Sequence, residues 1–192
     1  MTRRSFIKSV ALGATASAGV IGAPAIAQSA PAVNWRLASS FPKSLTTIYG
    51  ASERLGKRVS ELTDGKFNIR AFPGGEIVPP FEVMNAVRNG TVEMAHTVSQ
   101  YFSGVDIRFN FDSGLPFGLN SRQQTAWFVE GGGKELLREF FREYGIVNFL
   151  GGNTGVQMGG FFRKEIKTVA DIRGLKFRIG GLAGRVFEQM GA

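Results

Sequence analysis

Short strand-like runs alternate along this chain with longer runs in which apolar residues recur every three or four positions. A strand pattern over 34–38 is followed by a helix pattern over 46–62. The apolar positions of that helix pattern are Ile48, Ala51, Leu55, Val59 and Leu62. Such spacing predicts one apolar helix face. The alternation favours an α/β fold with a largely parallel sheet, in which ligands bind at the carboxyl ends of the strands.

The same alternation continues downstream. Further strands are predicted over 66–72, 92–95 and 146–150, and helices are predicted after Pro80, from Ser121 and over 136–144. Asn120 is a suitable N-cap for the second of these helices. Gly131 to Gly133 precede Lys134 without the spacing of a phosphate-binding loop, so an inter-helix turn is predicted there.

The first 27 residues have the order of an export signal. Arg3 and Arg4 open a basic segment, a mildly apolar stretch over 10–21 follows, and an Ala-Ile-Ala cleavage site ends at Ala27. The paired arginines favour the Tat route. The apolar stretch is too short for a membrane-spanning helix. We therefore expect residues 1–27 to be a signal peptide and the protein to be exported to the periplasm.

The remainder is expected to contain two lobes. Residues 28–152 read as an almost complete first lobe, and the glycine-rich run 151–155 marks the boundary. Residues 153–192 hold two strand-like runs, 156–162 and 175–179, and a short helix from Leu182. So few elements cannot bury a core alone. The sequence therefore predicts a truncated second lobe.

Composition excludes several kinds of site. The chain has no cysteine and one histidine, His96, which rules out disulfides, thiol catalysis and His-clustered zinc. His96 itself is interpreted as a strand-end residue near a lobe interface. The formal charge is +8, but the basic residues are scattered, which gives nucleic-acid binding little support.

Two polar residues in the second lobe are candidates for ligand binding. Arg178 lies near the end of the strand-like run 175–179, before Gly180 and Gly181, which allow close backbone approach. An arginine there can grip a carboxylate through two hydrogen bonds, although a solvated arginine explains this segment better when it is taken alone. Gln157, between apolar and glycine residues, fits equally a buried amide or a half-exposed strand position.

Longer motifs resemble the extracytoplasmic solute receptors of tripartite ATP-independent periplasmic (TRAP) transporters, in the branch that binds 2-oxo acids. The similarity begins near Trp35 and is densest over 72–78, 87–94, 116–120 and 152–164, and it ends with the motif over 171–178. It implies that Arg178 forms the salt bridge to the ligand carboxylate. It also implies that Gln157 contacts the ligand and helps to hold a bound cation, sodium or calcium.

The same resemblance implies that Ser40, Phe41 and Tyr101 line the cleft. It implies a binding protein, without a required cofactor, that delivers a 2-oxo or 2-hydroxy acid to the membrane permease, and a homodimer is one possible assembly. The alternative is a periplasmic enzyme acting on a small carboxylate, for which only Glu76, Glu93 or Tyr101 are candidate acids or bases.

Overall fold

A computed structural model describes residues 31–192. The strands are β1 (Val33–Ser39), β2 (Phe67–Phe72) and β3 (Met94–His96). The α-helices are α1 (Thr46–Leu62), α2 (Val83–Arg88), α3 (Ser121–Glu130), α4 (Gly133–Arg142) and α5 (Gly181–Gln189). Three short 3₁₀ helices cover Ser99–Phe102, Ile107–Asn110 and Val169–Ile172. The signal peptide predicted over 1–27 lies outside the described residues.

The three strands form one parallel sheet in the order β2-β1-β3, which confirms the predicted α/β class. The last pair between β1 and β3 joins Ser39 to His96. Because the strands are parallel, their carboxyl ends lie at the same edge of the sheet. The loops after Ser39 and His96 therefore begin side by side.

The bounds of α1 match the prediction, but its buried face does not. The structure buries Tyr49, Ser52 and Gly56, while Leu55 and Leu62 are exposed. The reason is a close approach between α1 and β2. A Cβ atom at position 56 would overlap the carbonyl oxygen of Ile69, so only glycine fits there. The helix thus contacts β2 through a residue without a side chain, and Ile48, Ala51 and Val59 of the predicted face are only partly buried.

The helix pair α3–α4 follows the sequence signals closely. Asn120 caps α3 through its side chain and forms a capping box with Gln123. Gly131 and Gly132 connect the helices, and Gly132 has the left-handed φ of 81° that glycine tolerates. The predicted inter-helix turn is confirmed.

The core is aromatic and lies between the sheet, α2 and the α3–α4 pair. Its centre is Phe109, whose side chain is 1% exposed. Phe109 packs edge-on against Phe140 and Phe141, with ring centroids 4.8 and 5.4 Å away. The other buried members include Ala38, Val83, Met84, Val92, Phe102, Phe128 and Leu137. This core supports the 3₁₀ helices that follow β3.

Three predicted strands are wrong. Residues 146–150, 156–162 and 175–179 have no strand structure. A strand needs a neighbour for its backbone hydrogen bonds, and none of the described residues pairs with these runs. Apolar side chains in them are consequently exposed, including Phe149 at 74%, Val156 at 83% and Phe161 at 87%.

Residues Ala32–Ala192 form one compact unit. The lobe boundary proposed between 152 and 153 therefore remains a prediction. Within the described part of the chain, no helix has the length and apolar character needed to span a bilayer.

Candidate functional site

Ser40 lies where β1 ends, and its hydroxyl group is fully engaged. Ser40 is 7% exposed, and its Oγ is 2.6 Å from the carbonyl oxygen of Pro80 and 2.7 Å from Oγ1 of Thr97. A carbonyl can only accept, so the single Ser40 proton goes to Pro80 and Thr97 is the donor in the second bond. Ser40 thus ties three segments together at the sheet edge.

The backbone of this loop is held as firmly as its side chains. The Ser40 amide donates to the His96 carbonyl at 2.9 Å. The Phe41 amide donates to Oγ of Ser39 at 3.1 Å, and the Phe41 carbonyl accepts from the Gly74 amide at 2.9 Å. The loop after β1 is consequently a rigid wall of the site.

Aromatic side chains line the same edge of the sheet. Phe41 is buried, and its ring lies 5.1 Å from that of His96 and 6.5 Å from that of Tyr101. Tyr101 packs edge-on against the exposed Phe81 at 5.0 Å. Tyr101 is only partly buried, so its ring joins this cluster and remains accessible. The structure therefore brings together Ser40, Phe41 and Tyr101.

His96 ends β3, as predicted, and is held by α1. Its Nδ1 lies 2.7 Å from Oγ of Ser52, which is itself 2% exposed. Burial lowers the pKa of His96, because a charged imidazolium loses hydration there. The ring is consequently neutral at pH 7 and serves as packing for Phe41.

A cluster of polar side chains around the buried Ser99 supports the 3₁₀ helix that carries Tyr101. Ser99 donates to the carboxyl group of Asp112, and the Ser99 hydroxyl is also 2.8 Å from that of Ser113. Burial raises the pKa of Asp112. This cluster braces the start of the helix, so Tyr101 is presented by a fixed backbone.

Arg178 is exposed, and among residues 31–192 no hydrogen bond or salt bridge engages its guanidinium group. Of the two glycines after it, Gly181 makes the close approach that the sequence predicts, whereas a Cβ atom at Gly180 would meet nothing within 4 Å. A Cβ atom on Gly181 would lie 3.0 Å from Oδ1 of Asn110 and 3.5 Å from Oε1 of Gln100. Gln100 directly precedes Tyr101. Gly181, three residues after Arg178, therefore lies beside the helix of Tyr101, and the Leu182 amide is tied to Asn110 by a hydrogen bond.

Gln157 is exposed on an irregular segment. Its Nε2 donates to Oγ1 of Thr154 at 3.4 Å, and its amide oxygen accepts no hydrogen bond from the described residues. Neither Gln157 nor Arg178 forms a hydrogen bond with Ser40 or Tyr101. The five predicted residues thus fall into one assembled cluster and two separate, accessible side chains.

Sequence reasoning missed Thr97, Ser52 and Asn110. Thr97 directly follows the predicted strand end, and this position was the available signal. No sequence signal marked Ser52 or Asn110, because their hydrogen-bond partners His96 and Leu182 are 44 and 72 residues away in the chain.

Comparison with known proteins defines the family. Residues 38–192 match the model of the bacterial extracellular solute-binding proteins, family 7. The chain belongs to this family. A relative from Nostoc sp., a monocarboxylate 2-oxoacid-binding periplasmic protein, is 43% identical over 196 residues, which cover 100% of this chain and 53% of the relative. The resemblance to TRAP solute receptors is confirmed.

Two solved structures of TRAP solute-binding proteins share the fold. The protein from Bordetella bronchiseptica, a dimer with calcium and picolinate in one site, is 56% identical with a TM-score of 0.81, over 84% of this chain and 48% of that one. The protein from Pseudoalteromonas atlantica, with bound sodium and pyruvate, is 41% identical with a TM-score of 0.79, over 84% and 49%. This chain spans about half the length of these three relatives.

Proposed function

We propose that this protein is a periplasmic receptor that captures a small 2-oxo or 2-hydroxy monocarboxylate and delivers it to a TRAP-type membrane permease. The proposal rests most on Arg178. Its guanidinium group is exposed and free of partners within 31–192, and its segment is anchored beside the helix of Tyr101. A free guanidinium can accept a carboxylate through two parallel charge-assisted hydrogen bonds.

The other candidate residues have complementary roles in this proposal. Phe41 and Tyr101 supply a mainly apolar wall, which excludes water from the carboxylate pair and strengthens it. Ser40 shapes this wall instead of touching the ligand, because its hydroxyl is already satisfied. Closure of two lobes around the ligand then follows from contacts made only in the closed form.

A cation bound with the ligand fits the residues present only in part. Sodium and calcium prefer oxygen ligands, and the amide oxygen of Gln157 is an available one. No cluster of three or more His, Cys, Asp or Glu residues that could hold a metal occurs in 31–192. The cation would therefore depend on Gln157 together with the oxygens of the carboxylate ligand, whose charge it would partly neutralise.

The same proposal makes the protein a binder and not a catalyst. Of the candidate acids and bases, Glu93 is held by Arg36, whose hydrogen bonds lower the Glu93 pKa to about 2. A carboxylate so strongly ionised is a poor proton donor or acceptor near pH 7. Glu76 is exposed and Tyr101 packs between two aromatic rings. The ligand should therefore leave chemically unchanged.

Localisation and assembly complete the proposal. The family is one of extracellular solute-binding proteins and the Nostoc relative is periplasmic, and the paired arginines with the Ala27 cleavage site favour Tat export of this protein. The dimer of the Bordetella protein favours a homodimer here. The mature protein recovered from the periplasm should begin near Gln28.

Two measurements on the protein expressed from its complete gene decide between these possibilities: identification of retained ligands and calorimetric titration. Small molecules retained through purification are identified by mass spectrometry, and pyruvate, picolinate and succinate are titrated calorimetrically with sodium or calcium present. We expect a monocarboxylate to be retained and pyruvate to bind more tightly than succinate. Nuclear magnetic resonance spectra of pyruvate after long incubation should be unchanged. Preference for succinate, or conversion of pyruvate, would contradict the proposal.

A further inference from the structure

Helix α5 begins without a cap of its own. Its N-cap residue is Gly180, which has no side chain. An N-cap side chain normally accepts a hydrogen bond from the second or third helical amide. Here the amide of Leu182, the second helical residue, donates instead to Oδ1 of Asn110 at 3.2 Å. A residue 72 positions upstream therefore caps the helix.

Asn110 is held for this role by its surroundings. It is 1% exposed, and its Nδ2 donates to the carbonyl oxygen of Ile107 at 2.9 Å, which sets the side-chain orientation. Both ends of its amide are thus satisfied inside the core.

Two glycines make room for the Asn110 oxygen. A Cβ atom would lie 2.9 Å from Oδ1 at Gly114 and 3.0 Å from it at Gly181, and both distances are too short for ordinary packing. Gly181 also has a φ of 65°, which disfavours any other residue. The hydrogen bond from the Leu182 amide to Asn110 Oδ1 therefore depends on glycine at both positions, 114 and 181.

The Asn110 contact lies on the segment that carries Arg178. Arg178 is three residues before Gly181 and has no regular secondary structure to hold it. Among 31–192, the hydrogen bond from Leu182 to Asn110 is the one that ties the start of α5 to the 3₁₀ helices. Without it, the start of α5, three residues after Arg178, would lose its hydrogen bond to the Ile107–Asn110 helix.

We propose that Asn110 is a positioning residue for ligand binding: by capping α5 from the aromatic core, it holds Arg178 beside the helix of Tyr101. This inference rests on the proposed function, because it acts through the Arg178–carboxylate contact. Asn110 itself touches no ligand. The competing possibility is that Asn110 stabilises the fold without affecting binding.

The test is a double-mutant cycle with pyruvate as the probe, titrated calorimetrically into the protein as its gene encodes it. Asn110→Ala removes the cap and should raise Kd about threefold to tenfold, as expected for loss of one hydrogen bond. In an Arg178→Ala background the same change should raise Kd less than twofold, because the positioned group is absent.

A second pair of variants covers the case in which Asn110→Ala does not fold. Gly181→Ala disturbs the same contact from the α5 side and should raise Kd similarly. Gly104→Ala is the control, because a Cβ atom there meets nothing within 4 Å. The melting temperature of each ligand-free variant shows that it is folded.

The outcomes separate this inference from the proposed function. If Arg178→Ala leaves pyruvate affinity unchanged, the site assignment fails and the inference fails with it. If Arg178→Ala weakens binding while folded Asn110→Ala and Gly181→Ala do not, only the inference is overturned. Equal effects of Asn110→Ala in both backgrounds would overturn it as well, since they show no action through Arg178.

Discussion

Glu93 is the residue just before β3, and its carboxylate extends the sheet hydrogen bonding to Arg36 of β1. It accepts from the Arg36 backbone amide at 2.7 Å, where a strand neighbour would otherwise supply a carbonyl. It also accepts from Nε and Nη2 of the same arginine at 3.1 and 2.7 Å. A side chain thus completes the backbone hydrogen bonding of β1.

This arrangement makes stability depend on pH. The Arg36 hydrogen bonds lower the pKa of Glu93 from 4.5 to about 2 in the folded state. A lowered pKa stabilises the fold above the unfolded value, and this contribution disappears as pH falls from about 4.5 to 2. Glu93→Gln should therefore lower the melting temperature at pH 7, and the difference from wild type should shrink below pH 4.5.

Circular dichroism melts between pH 2 and 7 measure this difference. Glu61→Gln is the matched control, because it removes exposed pairs on the surface of α1, which contribute little. A Glu93→Gln deficit that stays constant across this pH range would show that the ion pair is not its source.

Gly56 should be the least replaceable residue of α1. Alanine is about 1 kcal/mol better than glycine within a helix, but its Cβ atom at position 56 would overlap the Ile69 carbonyl oxygen. Because the obstacle is backbone, α1 must move away from β2, and we expect a loss of roughly 1–3 kcal/mol in unfolding free energy.

Gly50→Ala is the matched control in the same helix. Its Cβ atom would meet only the end of the flexible Arg54 side chain, at 3.9 Å. It should stabilise the protein by about 0.5–1 kcal/mol. Urea denaturation measures the unfolding free energy of both variants. A change of the same sign in Gly50→Ala and Gly56→Ala would contradict the packing of α1 on β2.

Arg178→Ala should produce the largest loss of ligand affinity. It removes a charge-assisted pair of about 1.5–3 kcal/mol and leaves the ligand charge uncompensated, so Kd should rise about 10²-fold to 10³-fold. Arg178→Lys should recover part of this, because an ammonium group cannot form the planar two-bond pair. Arg142→Ala, an exposed arginine on α4, is the control. Unchanged pyruvate affinity in Arg178→Ala by calorimetry would remove Arg178 from the site.

Gln157→Ala should weaken binding less and alter its cation dependence. Loss of a neutral hydrogen-bonding group costs about 1 kcal/mol, which corresponds to roughly fivefold in Kd. If Gln157 holds the cation, pyruvate affinity in the variant should respond less to added calcium or sodium than in wild type. Gln189→Ala on α5 is the control. An unaltered cation response in Gln157→Ala would assign the cation to other ligands.

Local signals predicted the local structure well. The bounds of α1, the Asn120 cap of α3 and the turn at Gly132 all match, since each depends on residues within a few positions of one another. The order of strands and helices likewise indicated a parallel α/β sheet, because short strands joined by helices have few other arrangements. The family resemblance extended this to Ser40, Phe41 and Tyr101, which the fold gathers at one sheet edge.

Signals that depend on distant partners failed. The runs over 146–150 and 175–179 have strand composition, yet a strand exists only where another strand accepts its hydrogen bonds. The apolar stripe on α1 is only partly buried, and apolar spacing could not indicate the contact that Gly56 makes with the Ile69 carbonyl oxygen in β2.

By itself, the sequence determined the α/β class, the bounds of α1 and the family, because these follow from periodicity, caps and motifs that are local in the chain. Only the tertiary structure decided which face of α1 is buried, that the Ser40 hydroxyl is already satisfied, and that Asn110 caps α5. Those outcomes depend on which groups meet across up to 72 residues, and hydrogen-bond capacity and steric contact are settled only when the partners are brought together.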